Sequence, residues 1–372
     1  ERVGTAALPA LLNVARRLGL AERDGAGLLE VPASANGRGL REAGVQPNAG
    51  PGYADPAAGA PAGRAAREIA QAAADGELTA LYLLHADPVR DLADAPLWRR
   101  ALARATTVVA HSAFLTDELR EHATVVFPAE SYAEKEGTIT HPDGRIQRLR
   151  PGIGHPGSVR SEWSILTELA QRVGLDADVL TGPIASAQLF GAVPFLAGLT
   201  LEEIGGRGVR WQERAAAGTV PEGPAGPFET GTPVAPPSPN GALRLGAFRS
   251  IWASPEVEVS PALKFLARSA ALEVAPADAE RLGVDQGDRV TVSAGGRAVE
   301  ARVALRGNAP AGTVFLDAGL AGGGAGELAD GAPRLVAIER APEPQPEPVP
   351  AVVGADGDAP VEAGVTDEEA GA

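Results

Sequence analysis

The chain has 372 residues, enough for two or more domains with cores of their own. Its formal net charge is −15, and its only lysines are Lys135 and Lys264. That balance excludes the basic face of a nucleic-acid-binding protein. The absence of cysteine excludes disulfides, thiolate zinc sites and Cys-ligated iron–sulfur clusters within these residues. No apolar run is long enough to span a membrane, and no signal peptide is visible. The chain contains no methionine and opens at Glu1, so it is expected to be a piece of a longer polypeptide that lacks its N-terminus.

Taken in chain order, "TAALPALLNVARRLGL" (5–20) spaces its apolar side chains as a helix does. "GLLEVPASANGRG" predicts a short strand and a Gly-rich turn. "AGRAAREIAQAAADGE" predicts a helix closed near Gly76. The apolar run "LTALYLLHADP" is a strand that stops at Asp87-Pro88. A helix around Trp98 to Ala103, a strand at Thr106 to Ala110, a helix at Leu115 to Glu121 and a strand at Thr124 to Phe127 follow. Such alternation implies a parallel sheet covered on both faces, with ligands beyond the carboxyl ends of its strands. The segments at His85 to Asp87, at His111-Ser112 and from Ala129 to Arg150 are expected on that rim. The last reads as a long loop.

"SEWSILTELAQRVG" predicts a helix with Trp163, Leu166, Leu169, Ala170 and Val173 near one side. Thr200 and Glu203 form a capping-box pattern. Residues 216 to 241 hold seven prolines and five glycines and cannot build a core. From Leu243 onward the pattern turns to β structure. A helix around Asp278 to Leu282 precedes the strand "RVTVS", a Gly295-Gly296 hairpin turn, and "RAVEARVAL", with Val299, Ala301, Val303 and Leu305 on one face. The Pro-rich tail from Ala341 has eight acidic residues and no basic ones, and is expected to be disordered.

Two stretches carry a family likeness. "VVFPAESYAEKEGTITHPDGRIQRLRP" resembles the segment that molybdopterin oxidoreductases place after a strand of their α/β domain, through Pro128, Glu134, Gly137, Thr138, Gly144, Arg145 and Gln147. "LEVAPADAERLGVDQGDRVTVSAGGR" is similar to their C-terminal dinucleotide-binding domain, a double-psi barrel. "TLEEIGGRGVRWQE" and "LREAGVQPNAGPGY" look like the branch formed by the G subunit of NADH-quinone oxidoreductase (complex I). The resemblance implies an α/β class with four parts. These are a parallel-sheet molybdopterin-oxidoreductase-like domain at 1–180, a helical and Pro/Gly-rich crossing at 181–242, a double-psi β-barrel at 243–341 and the tail at 342–372.

That branch implies a mainly structural part of a subunit that passes electrons from NADH toward quinone through iron–sulfur clusters upstream. Its partners would be other subunits of the peripheral arm of complex I, on the cytoplasmic side of the bacterial inner membrane. The alternative is a formate-dehydrogenase-like enzyme holding molybdopterin guanine dinucleotide. Under it, Gly137, Thr138, His141, Arg145, Gln147 and Arg249 would touch the cofactor, with His141 standing where catalytic relatives usually carry Asn. The arginines and glycines of 129–150 suit an anion. They equally suit internal pairing to Glu130, Glu134 or Glu136. "ANGRGLRE" has only Gly37 and Gly39 of a dinucleotide fingerprint and reads as a tight turn. His85 and His111 could converge on the rim. No residue is assigned a catalytic or metal-binding role.

Overall fold

The computed structural model describes residues 7–342, apart from 32–33, 57–60, 62, 224–225, 231–240 and 333. The expected tail therefore lies almost wholly outside the described residues, as does much of the Pro/Gly-rich stretch. Helix α1 (Ala7–Arg17) forms as its spacing predicts. The strand expected in "GLLEVP" is absent among its described residues. Leu28, Leu29 and Val31 are more than half exposed and no described strand lies beside them, so their backbone has nothing to pair with. The chain turns at Asn36, at φ +63, into α2 (Gly37–Glu42). Gly39 is required there because a Cβ would lie 2.2 Å from Asn36 Oδ1.

Next come α3 (Ala66–Ala74), β1 (Ala80–Leu84), α4 (Pro88–Asp91), α5 (Ala95–Arg104), β2 (Thr107–Ser112), α6 (Asp117–His122) and β3 (Val125–Pro128). The three strands form a parallel sheet in the order β1-β2-β3, with Leu81 beside Val108 and Val109 beside Val125. Helices α3, α5 and α6 cover one face. There Ala70, Ala73, Leu81, Leu83, Trp98, Leu102, Val108 and Leu119 share a core. Full cover of both faces is not observed. Tyr82 and Leu84 on the other face are about half exposed, because the helices of this unit pack on a single side.

The expected long loop after β3 is only half a loop. Residues 137–149 form a hairpin, β4 (Gly137–Thr140) and β5 (Arg145–Leu149), turned by His141 to Gly144. Gly144 has φ +87, and a Cβ would collide with Gln212 at 2.0 Å. Helix α7 (Glu162–Arg172) forms as predicted but buries Glu162, Ile165 and Thr167. Leu166 and Val173, expected on the apolar side, are exposed. The following α8 (Gly182–Ala192), α9 (Leu201–Ile204) and β6 (Val209–Arg210) are more than a crossing. β6 pairs with β5, and Phe190, Phe195, Leu199, Ile204 and Trp211 close a separate core over Ile146. The capping box is half made: Thr200 Oγ1 accepts the Glu203 N–H at 3.1 Å, while the Glu203 carboxylate turns to Arg214 at 2.9 Å.

The rest is the expected double-psi barrel, closed and six-stranded. In chain order it has β7 (Leu243–Phe248), α10 (Pro255–Val259), β8 (Ala271–Val274), α11 (Pro276–Leu282), β9 (Arg289–Ala294), β10 (Arg297–Leu305), β11 (Thr313–Asp317) and β12 (Leu335–Arg340). Around the barrel the order is β10-β8-β11-β7-β12-β9. β10/β8 and β11/β7 pair in parallel and the others antiparallel. Gly295 and Gly296, at φ +57 and +77, make the β9–β10 turn as their sequence predicts. Leu272, Val274, Val290, Val292, Val314 and Leu316 fill the interior with no exposed surface.

Arginine–carboxylate contacts seat the barrel on the α/β unit. Arg99 of α5 holds Glu327 with two 2.8 Å bonds and Glu118 with one of 2.6 Å. Asp94 donates its N–H to Ala329 O at 2.8 Å and faces Arg297 at 2.8 Å and Arg67 at 3.3 Å. Arg90 of α4 grips Glu258 of α10 with both terminal nitrogens.

This packing separates two kinds of substitution. Leu316→Ala is expected to destabilise the protein by about 2–5 kcal/mol, read as a lower urea midpoint. Arg99→Ala is expected to cost only about 1 kcal/mol, because its partners keep some solvent. Its signature is faster amide exchange in α5 and residues 325–329, with the barrel strands unchanged.

Candidate functional site

A cavity of about 510 Å³ lies between the parallel sheet and the barrel. Its floor is the carboxyl end of the sheet, where the chain leaves β1 at His85, Ala86 and Asp87 and leaves β2 at Ser112 to Thr116. Its far wall is the β7–α10 segment, Arg249 to Glu256, with Gly319. This is where a doubly wound sheet presents ligands, because strand ends and helix starts leave backbone groups and loop side chains unpaired there.

The side chains of this cleft are largely spoken for. Arg90 is 6% exposed, and its guanidinium is committed to Glu258 at 2.5 and 2.9 Å. Arg249 reaches the Asp91 carboxylate at 3.3 Å and the Asp91 carbonyl at 3.0 Å. The lining carboxylates Asp87, Asp91 and Glu256 outnumber these two arginines. Asp87 accepts the Thr116 hydroxyl on Oδ2 at 2.7 Å, while its Oδ1 is buried with no protein partner. Behind the wall, the Asp317 carboxylate is 2% exposed. Its Oδ1 accepts the Gly319 N–H at 2.9 Å, and its Oδ2 has no protein partner. His85 holds a left-handed backbone, φ +51, and donates its N–H to His111 O at 2.9 Å.

The two histidines meet through their backbones, not their rings. His111 is fully buried, with Nε2 2.5 Å from Tyr82 Oη and its ring between Tyr82 and Phe127. Burial pushes its pKa down, so the ring is held neutral.

Of the six residues expected to contact a cofactor, Arg249 lies in the cleft lining. The other five sit on the β4–β5 hairpin and are not among its lining residues. His141 and Gln147 face a smaller cavity of about 140 Å³ with Asn36, Arg38 and Arg41. Thr138 faces a neighbouring one of about 130 Å³, lined by Glu42 and apolar side chains of α8. Arg145 donates to Arg207 O at 3.4 Å. Gly137 has open space around its Cα. The internal pairing weighed above is present once: Arg148 binds Glu136 at 2.9 Å. His141 Nδ1 lies 2.8 Å from Asp143 Oδ1. The backbone N–H of Arg145, then His141, hold Asp143 below the usual carboxylate range.

Glu42 gave no signal in the sequence beyond an acidic residue in a short helix. It is 2% exposed, with Oε1 bonded to Trp211 Nε1 at 3.1 Å and Arg38 Nε at 2.8 Å, and Oε2 unpartnered. Burial raises its pKa against the opposing pull of Arg38 and Trp211. A raised carboxyl pKa means the folded protein prefers the proton. Stability is then lost as pH rises from the unfolded carboxylate value through the folded one. Glu42→Gln never ionises and escapes that loss. It is expected to melt progressively higher than the parent as pH is raised from about 4 to 8. A melting difference independent of pH would refute the assignment.

Known proteins share both halves of this architecture. The "Molybdopterin oxidoreductase" family model matches residues 2–172. The "Molydopterin dinucleotide binding domain" model matches residues 256–343. The chain is 30% identical over 336 residues to NADPH-Fe(3+) oxidoreductase subunit alpha of Geobacter sulfurreducens, covering 84% of this chain and 36% of that one. It is 28% identical over 244 residues to the G 2 subunit of NADH-quinone oxidoreductase from Rhizobium meliloti, covering 65% and 27%. It is 32% identical over 151 residues to F420-dependent formate dehydrogenase 2 subunit alpha of Methanococcus maripaludis, covering 40% and 21%. The chain thus spans about a third of the length of the first of these relatives. Acetylene hydratase from Pelobacter acetylenicus shares the fold, with a TM-score of 0.55 and 14% identity over 75% of this chain and 47% of that one.

Proposed function

We infer function from family membership: this chain belongs to the molybdopterin oxidoreductase family, with a molybdopterin-oxidoreductase domain followed by a dinucleotide-binding barrel. The reading supported best is a structural module of an NAD(P)H-linked electron-transfer subunit, of the kind that the G subunit of complex I represents. Electrons from NADH toward quinone would pass through iron–sulfur clusters outside these 372 residues, which contain no cysteine to hold one. The module's work is to present folded surface to other subunits of a peripheral arm, on the cytoplasmic face of a bacterial inner membrane. Among the described residues no helix is long and apolar enough to cross that membrane.

The observation that carries this reading is the charge state of the cleft. A pterin dinucleotide brings a pyrophosphate, which calls for unengaged guanidinium or backbone donors. Here Arg90 and Arg249 are held by Glu258 and Asp91, and lining carboxylates outnumber them. The hairpin that the family likeness assigns to the cofactor contributes nothing to the lining. The two guanidinium groups of the lining are thus committed to carboxylates and not to a pyrophosphate, and no chemical step is routed through the dinucleotide.

The second reading is a molybdenum enzyme of the formate dehydrogenase type that binds molybdopterin guanine dinucleotide. It draws support from the position of a cleft of about 510 Å³ between the two matched domains.

Molybdenum and pterin content per mole of the parent protein, purified from its own host, separates the two. The structural reading expects neither, in a preparation that retains NADH oxidation. Near-stoichiometric metal and pterin would overturn it in favour of the enzyme.

A further inference from the structure

Beside the cleft, four ionisable side chains stand in hydrogen-bonded sequence. His85, in the cleft wall, places Nε2 2.7 Å from Glu162 Oε1. Glu162 and Glu130 are interlocked. Glu130 donates its N–H to Glu162 Oε1 at 3.1 Å, and Glu162 donates its N–H to Glu130 Oε2 at 3.3 Å. These crossed bonds bring the two carboxyls close enough to act on each other's protonation. Glu130 Oε1 then lies 2.7 Å from His155 Nε2 and accepts the Ser161 hydroxyl at 2.9 Å. The two glutamates are 3% and 9% exposed, whereas the two imidazole side chains are 33% and 35% exposed. The middle of the sequence is dry and its two ends are wet.

Two adjoining carboxyls out of water resist double ionisation, which favours a proton held by the pair. Burial, and then the adjoining Glu162, raise Glu130. Burial would raise Glu162 as well, but His85, the protonated Glu130 carboxyl and Lys135 together hold it below the usual range. The asymmetry has a geometric origin. Lys135 Nζ lies 3.1 Å from Glu162 Oε2 and 2.8 Å from His85 Nε2, so its charge favours Glu162 as the ionised partner. The charged or titratable groups that face the pair are Lys135 and His85 on the cleft side and His155 on the other. His111 stands behind His85 and bears on it electrostatically.

We propose that His85, Glu162, Glu130 and His155 form a proton store that opens to the interdomain cleft at one end and to bulk solvent at the other. In exchange with solvent, His155 takes up a proton on Nδ1 and passes the one on Nε2 to Glu130 Oε1. The shared proton moves across to Glu162, Glu162 protonates His85 Nε2, and His85 gives up the proton on Nδ1. One proton enters and one leaves, the net charge of the store is unchanged, and each ring is left in its other tautomer until it exchanges with water. The arrangement takes protons as its only ligand, and does not depend on which group, if any, the cleft binds. Placing negative charge in the cleft would draw the stored proton toward His85 and refill the store through His155.

The test is made on the full chain. Infrared spectroscopy at neutral pH is expected to show the carbonyl band of a buried protonated carboxylic acid, lost in Glu130→Gln. Histidine ring NMR is expected to show His85 and His155 titrating in linked, multi-step curves. Cutting the store by Glu130→Gln should reduce the His85 curve to a single step, although Glu130 does not touch His85. His122 and His141, outside the cluster, are the controls and should not move. No protonated-acid band in the parent protein, or independent single-step titration of His85 and His155, overturns the proposal without any variant having to fold. If Glu130→Gln does not fold, Glu162→Gln is read through His155, whose partner is Glu130 and not Glu162.

Discussion

The architecture rests on arginine–carboxylate contacts between two units that each have a core of their own. Core packing explains why the sheet and the barrel fold, but not how they sit together. That is set by Arg99 on Glu327, Arg90 on Glu258, and Asp94 between Arg297 and Arg67. Such pairs contribute modestly to stability, because desolvation offsets most of the Coulombic gain. Their value is directional. A guanidinium that meets a carboxylate with two bonds fixes an angle as well as a distance. The same contacts take up the cations that an anionic ligand between the units would need, so the joint and the ligand compete for one set of charges.

The middle of the chain supplies a third body. The β4–β5 hairpin, α8 and α9 build a core around Phe195 and Trp211, whose rings lie 4.5 Å apart. That core carries Thr138, His141 and Gln147 into cavities of their own, beside Arg38 and the buried Glu42. Residues that look like one binding loop in the sequence thus serve two places. The stretch before the hairpin, with Glu130 and Lys135, packs against His85 and α7. The hairpin itself belongs to the third core.

Much of the fold is legible because burial leaves a direct mark on sequence. A parallel strand hidden on its inner face, such as "ALYLL", is an apolar run. The barrel's "RAVEARVAL" alternates as a strand with one buried face must. The hairpin carries a readable signal too, although it reads first as a loop. Thr138-Ile139-Thr140 and Arg145-Ile146-Gln147 flank His-Pro-Asp-Gly, a strand–turn–strand pattern disguised by a polar surface. The opposite case is Leu28 to Val31, where an apolar run has no described neighbour to pair with. The buried side of α7 departs from its apolar stripe because Glu162 goes inward, and nothing local announces that. Its partner Glu130 is 32 residues away. Contacts of that kind exist only once the chain has folded, so the cleft's charge balance and the carboxyl pair lie beyond reach of the sequence.

The two kinds of joint in this molecule respond to different variables. The contacts between barrel and sheet are made by arginine, whose charge does not change at any pH the protein will meet. The contacts that tie α7 and the stretch after β3 to the sheet end run through histidine and glutamate, and imidazole is a side chain that can change its charge. Protonation of an imidazole can therefore loosen or tighten one seam while leaving the other clamped. A body built like this has a fixed weld and an adjustable one, and the cleft lies between them.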